Sequence, residues 1–63
     1  MPIVTITVPE GVFDEGQREA MIDRVTEAMV SVEGEAFRDK TWVVYDEIPE
    51  GRFVIGGSPI RPG

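Results

Sequence analysis

The first part of the chain alternates between two kinds of side chain. In residues 3–8, every even position is apolar, whereas the odd positions hold one isoleucine and two threonines. A period of two built from β-branched residues predicts a strand that buries one face. Residues 9–11 have the Pro-Glu-Gly composition of a turn, so the strand is expected to end there.

The pattern then becomes helical. Apolar residues recur every three or four positions between Met21 and Val32, and acidic residues fill much of the space between them. This spacing predicts an amphipathic helix of about 20 residues, roughly 30 Å long. Asp14 and Gln17 have the spacing of a capping box at its start, and Gly34 is a typical C-terminal stop.

A second strand is predicted at residues 41–48, which are rich in β-branched and aromatic side chains. A turn at residues 49–51, a short return at residues 52–55 and an extended tail at residues 58–63 follow. Two strands joined by a long helix make a right-handed βαβ unit with parallel strands. The predicted class is therefore α+β, with one long crossover helix and a short C-terminal hairpin.

The chain is so small that its own hydrophobic core is expected to give too little stability. Its 63 residues make a single domain, residues 1–63, whose core rarely supplies more than about 3–5 kcal/mol. It has no Cys and no His, which excludes disulfides and the usual zinc sites, and no cofactor is expected. One sheet face carries Ile3, Trp42 and Val44, and two strands do not stand alone in water. Both points predict an oligomer.

Charge narrows the possible partners. Twelve acidic residues against six basic ones give a net charge of −6, which argues against binding to nucleic acid or to anionic membranes. No apolar run approaches the roughly 20 residues of a membrane span, and no secretory signal is recognisable. We therefore expect a cytoplasmic protein, in which a small anionic substrate would need a local cation.

Pro2 is the first candidate for chemistry, because it lies between the initiator Met1 and the first strand. Removal of Met1 would leave a secondary amine, which can transfer a proton once burial brings its pKa towards neutrality. If Met1 is retained, the Pro2 nitrogen is an amide without a basic lone pair. Taken alone, Pro2 more often simply starts a strand, where its missing N–H does no harm.

Several segments together resemble the 4-oxalocrotonate tautomerase family. They are the Pro-Ile-Val-Thr-Ile start, the Glu10-Gly11 turn, the helix start at Asp14 and the Phe-Val-Ile-Gly-Gly sequence from Phe53. The resemblance implies hexamers of βαβ protomers, arranged as trimers of dimers, with an amino-terminal proline that moves a proton between enol and keto forms. It assigns that role to Pro2, and to Phe53 the apolar wall that lowers the pKa of the proline.

Two positions depart from the family pattern. Val12 and Trp42 stand where the well-studied tautomerases have arginines that bind or polarise the anionic substrate. Lys40 lies two residues before Trp42, so an extended backbone would place it on the same face about 7 Å away, within reach of a carboxylate. Trp42 can keep the pocket dry and donate one N–H bond. Arg61, in the tail, could fold over the site of a neighbour, although exposed cations usually contribute little.

The sequence thus predicts a tautomerase-like isomerase that acts on a small keto or enol acid. Pro2 is the base or acid, Phe53 and Trp42 are the walls, and Lys40 holds the carboxylate. Two alternatives stay open. The chain could be a non-catalytic partner subunit of a hetero-oligomer, or the same proline could hydrate or dehalogenate an unsaturated acid.

Overall fold

The computed structural model describes residues 1–61. Strand β1 (Ile3–Pro9) leads to helix α1 (Glu15–Glu33), a 3-10 helix (Glu35–Lys40) and strand β2 (Trp42–Ile48); the short strands β3 (Val54–Ile55) and β4 (Ser58–Pro59) follow. β1 and β2 are parallel, and β3 and β4 form a separate antiparallel hairpin. The predicted α+β class and βαβ order are confirmed.

Both ends of α1 are capped by the residues that the sequence predicts. The Asp14 side chain accepts a hydrogen bond of 2.8 Å from the backbone N–H of Gln17, whose side-chain oxygen accepts one of 3.0 Å from the Asp14 N–H. Gly34 has φ 105° and its N–H donates to the carbonyl of Val30. Both caps satisfy backbone groups that would otherwise lack partners, so the helix begins and ends within one residue of its signals.

The connection between α1 and β2 is more ordered than its polar sequence indicates. The Arg38 guanidinium donates two bonds to the Glu27 carboxylate, at 2.6 and 2.9 Å, and two to the Glu35 carboxylate, at 2.6 and 3.2 Å. These bonds hold the pKa of both carboxyls below the usual 4.5. The ion cluster ties the 3-10 helix to α1. Strand β2 begins at Trp42, one residue later than the predicted start at residue 41.

The segment predicted as an extended tail is partly paired. Ser58 and Pro59 lie opposite Ile55 and Val54 in the hairpin, which turns on two glycines with φ of 57° and 83°. Positive φ at both central residues suits the tight turn of a two-residue hairpin. The described part of this segment is therefore a hairpin arm rather than a free tail, and residues 62–63 lie outside the described residues.

Little of this chain is buried. Within residues 1–61 only Val8 and Val30 are buried apolar side chains, and they lie between the sheet and α1. The opposite face leaves Ile3, Trp42 and Val44 between 43% and 57% exposed. No helix in this part of the chain is long and apolar enough to cross a membrane. An apolar face of this kind on so thin a protomer, 14 Å in its shortest dimension, calls for a covering partner.

Candidate active site

Pro2 and Trp42 are neighbours at the amino end of the sheet. The backbone N–H of Trp42 donates a 3.0 Å hydrogen bond to the backbone carbonyl of Pro2, and Trp42 lies opposite Ile3 in the β1–β2 pairing. Pro2 is half-buried, whereas Trp42 is 51% exposed. The backbone pairing therefore places the candidate base beside one of its two predicted walls.

Lys40 has a different setting from the one its spacing suggests. The 3-10 helix continues through Lys40, because the N–H of Thr41 bonds to the Arg38 carbonyl and the Thr41 hydroxyl to that of Phe37. The extended backbone that would place Lys40 on the face of Trp42 is not formed, and that expectation is wrong. The Lys40 ammonium lies 5.9 Å from the centre of the Phe37 ring. Its role as a carboxylate holder stays a prediction.

A groove of about 240 Å³ opens at the other end of the sheet, where both strands reach their carboxyl ends. Its apolar lining comes from Pro9 and Ile48, the last residues of the two strands, and from Val12 and Phe53. The structure therefore brings Phe53 together with Val12, one of the two positions at which the sequence departs from the family pattern. This end has a concave surface that combines apolar and charged side chains, as small-molecule sites do.

The charged groups of the groove are two carboxylates and one guanidinium. Glu10, Glu50 and Arg61 line it, and Arg61 Nε lies 3.3 Å from Glu50 Oε1. Both members of this pair are mostly exposed, at 89% and 74%. The sequence suggested that Arg61 reaches a neighbour's site, but in the structure it lies against the groove of its own protomer. The sequence signal for this placement is the Gly56-Gly57 pair, which forms the turn of the β3–β4 hairpin and returns the chain towards Phe53.

The two groups of candidate residues lie at opposite ends of one sheet. Six residue steps separate Ile3 from Pro9, and at about 3.3 Å per step they span roughly 20 Å. Pro2, Trp42 and Lys40 are therefore at one end, and Phe53 is at the other. Within the described residues of one protomer, Pro2 therefore meets only one of its two predicted walls, Trp42, and does not meet Phe53.

Two parallel strands, a long crossover helix and a C-terminal hairpin beside the carboxyl end of the sheet define a tautomerase-like protomer. The sequence model of the family described as tautomerase enzyme matches residues 2–62. The chain belongs to the tautomerase family. The matched region covers nearly the whole chain and begins at Pro2.

Solved structures support the same conclusion. The chain is similar to YwhB, a homologue of 4-oxalocrotonate tautomerase, with 26% identity, a TM-score of 0.77 and 92% of each chain covered. It is 28% identical to an unfused 4-oxalocrotonate tautomerase, with a TM-score of 0.75, 94% of this chain and 93% of the other covered. It is 31% identical to a tautomerase isozyme from Methylibium petroleiphilum, with a TM-score of 0.74 and coverage of 92% and 90%. A search of functionally curated proteins found no match.

Proposed function

We propose that this protein is a keto-enol tautomerase that acts on a small unsaturated or 2-keto carboxylic acid. The observation that carries the proposal is the family match over residues 2–62, which starts at the proline that would supply the amine. Removal of Met1 exposes that amine at the start of β1. A cytoplasmic location follows from the sequence expectation and belongs to the same proposal.

Pro2 acts as both base and acid in this reaction. Its neutral amine accepts the proton of the enol hydroxyl, the enol oxygen becomes the ketone, and the resulting ammonium returns a proton to the carbon at the far end of the double-bond system. The amine must be neutral at working pH, and an apolar setting favours this by lowering its pKa. Trp42 adjoins Pro2 directly, whereas Phe53 has to come from elsewhere.

We propose that a neighbouring protomer supplies Phe53. The exposed Ile3, Trp42 and Val44 make the outer sheet face a surface that another copy can cover. A copy that brings its carboxyl end against the amino end of its neighbour sets Phe53 beside Pro2. We assign the assembly as a homohexamer, a trimer of dimers, which is the form implied by the family resemblance.

One observation favours a second candidate function. Val12 and Trp42 stand where the well-studied tautomerases have substrate-binding arginines, so the chain lacks two expected cations. A partner subunit of a hetero-oligomer, with arginines supplied by the other chain, fits this difference. Hydration or dehalogenation by the same proline is a variant of the first candidate.

The first test is an intact mass followed by an assay on phenylpyruvate enol. We expect the mass to lack Met1 and the Pro2→Ala variant to lose about 100-fold or more of the rate, the usual range for removing a positioned proton-transfer group. Because the processed Pro2→Ala variant still has a primary amine, acetylation of the wild-type amino terminus is the companion measurement and should also stop turnover. A protein that retains Met1, or that is processed but inert on a panel of enol acids, would point to the partner-subunit function.

A further inference from the structure

Arg61 is held against the groove by the backbone of the C-terminal hairpin. The Ile60 N–H donates a 2.8 Å hydrogen bond to the Phe53 carbonyl, beyond the paired residues of β3 and β4. This bond fixes the residue before Arg61 alongside the residue that lines the groove. The Arg61 backbone therefore starts from a fixed place beside the groove, and its side chain is the one cation that lines the groove within the described residues.

The ion pair that Arg61 makes is one that a ligand can replace. Its guanidinium lies 3.3 Å from Glu50, and both side chains are largely in solvent. Exposed pairs of this kind contribute little to stability, because water and salt screen them. A guanidinium offers a carboxylate two parallel N–H donors in a matching geometry. A substrate carboxylate can therefore take the place of Glu50 at small cost.

We propose that Arg61 binds the carboxylate of the substrate in this groove, with Glu50 as its exchangeable partner in the empty site. The inference deepens the proposed function, and rests on it for the identity of the acid. The acid lies with its apolar part against Phe53 and Val12 and its carboxylate on Arg61. The volume of about 240 Å³ is below the range of roughly 300–1,000 Å³ typical of drug-sized ligands, so it suits a small acid.

The charges of the groove also predict which acids are preferred. The lining holds one guanidinium, that of Arg61, and two carboxylates, those of Glu10 and Glu50. A monocarboxylate needs only Arg61, whereas the second carboxylate of a diacid would lie among like charges without a cation. The groove should therefore select small monocarboxylic acids with an apolar substituent.

Binding rather than turnover is the direct test. Calorimetric titration of the assembled Pro2→Ala protein with phenylpyruvate, and with its uncharged amide, separates recognition from catalysis. We expect Arg61→Ala to raise the Kd of the acid about tenfold, the loss of one charge-assisted interaction, and that of the amide by less than about twofold. Arg52→Ala is the matched control, because Arg52 is exposed on the neighbouring turn and does not line the groove.

Glu50→Gln tests the exchange directly. Removing the competing carboxylate should lower the Kd of phenylpyruvate about two- to threefold, the size expected of an exposed ion pair. The inference is overturned if Arg61→Ala weakens acid and amide equally, if Arg52→Ala has the same effect, or if the acid does not bind at all. If binding depends on Arg61 but the wild-type protein with a free Pro2 amine has no turnover, the proposed function is wrong and this inference holds. If turnover depends on Pro2 but Arg61→Ala has no effect on binding, the proposed function holds and this inference is wrong.

Discussion

The two ends of the β1–β2 sheet differ in what they offer a substrate. The amino end carries Pro2 and the exposed indole of Trp42 on an open surface. The carboxyl end has a groove with Phe53 as a wall and Arg61 as a cation. One end thus holds the candidate proton-transfer group and the other holds the candidate binding surface. Each has half of what a proton-transfer site needs.

The separation follows from parallel pairing. Parallel strands place both of their amino ends at one end of the sheet and both carboxyl ends at the other. Trp42, at the start of β2, therefore lies near Pro2. Phe53 follows the end of β2 and therefore lies far from Pro2. The seven residues of β1 are extended, so the strand keeps the two ends of the sheet apart. Association with another copy is the route by which these ends can meet, and the same association would cover the exposed sheet face.

The largest effect is expected from a charge on that face. Val44→Asp should dissociate the proposed oligomer, because an unpaired charge buried in that interface would cost about 3–5 kcal/mol and the core of so small a chain supplies only about as much. Analytical ultracentrifugation should then show smaller species, with at least a tenfold loss of activity from incomplete sites. Arg24→Ala changes the net charge equally at an exposed helix position. An unchanged Val44→Asp assembly would show that this face is not the interface.

A subunit-mixing experiment sharpens the comparison between the ends. We expect Pro2→Ala to be nearly inactive and Phe53→Ala to keep about a tenth of the activity, through the raised proline pKa. The two variants are then dissociated and reassembled in equal amounts. Each of the two protomers that contribute to a site has a chance of one half of carrying the intact residue, so about a quarter of the sites should combine an intact Pro2 with an intact Phe53. Activity should rise about fivefold above the unmixed average. No rise would mean that Phe53 of a neighbouring protomer does not contribute to the site of Pro2.

Val12→Arg tests what the groove lacks. A second guanidinium beside Arg61 should raise kcat/KM for a dicarboxylate enol about tenfold relative to a monocarboxylate, since each charge-assisted pair contributes selectivity of this order. Val12 is 44% exposed, so the longer side chain has room. Val12→Leu enlarges the side chain without charge and should leave the ratio unchanged. An unaltered ratio in Val12→Arg would show that the groove does not choose between these acids.

The smallest effect concerns stability at low pH. Arg38 holds the pKa of Glu27 and Glu35 below 4.5, so its contribution to stability is present above pH 4.5 and is lost as the pH falls through the lowered values. All three groups are exposed, and Arg38→Ala should lower the melting temperature by no more than roughly a few degrees. Thermal melts from pH 7 to 3 should show the difference between Arg38→Ala and wild type closing below pH 4.5. A constant difference would mean that Arg38 stabilises the segment by packing.

Local signals account for what could be predicted. Asp14, Gln17 and Gly34 act within a few residues, so the ends of α1 are readable from the sequence. The alternation in β1 and the βαβ order are readable for the same reason. Lys40 was misplaced because hydrogen bonds of Thr41 hold the end of the 3-10 helix, and a strand-like sequence does not reveal this competition.

The sequence by itself determined the fold class of this protein, because its strand and helix periods and its helix caps depend on near neighbours. Only the tertiary structure decided that Pro2 and Phe53 lie at opposite ends of the sheet and that Arg61 lies beside Phe53. The reason is physical. Strand direction and a hairpin turn set distances between residues far apart in the chain, and those distances depend on the pairing of whole elements rather than on any residue alone.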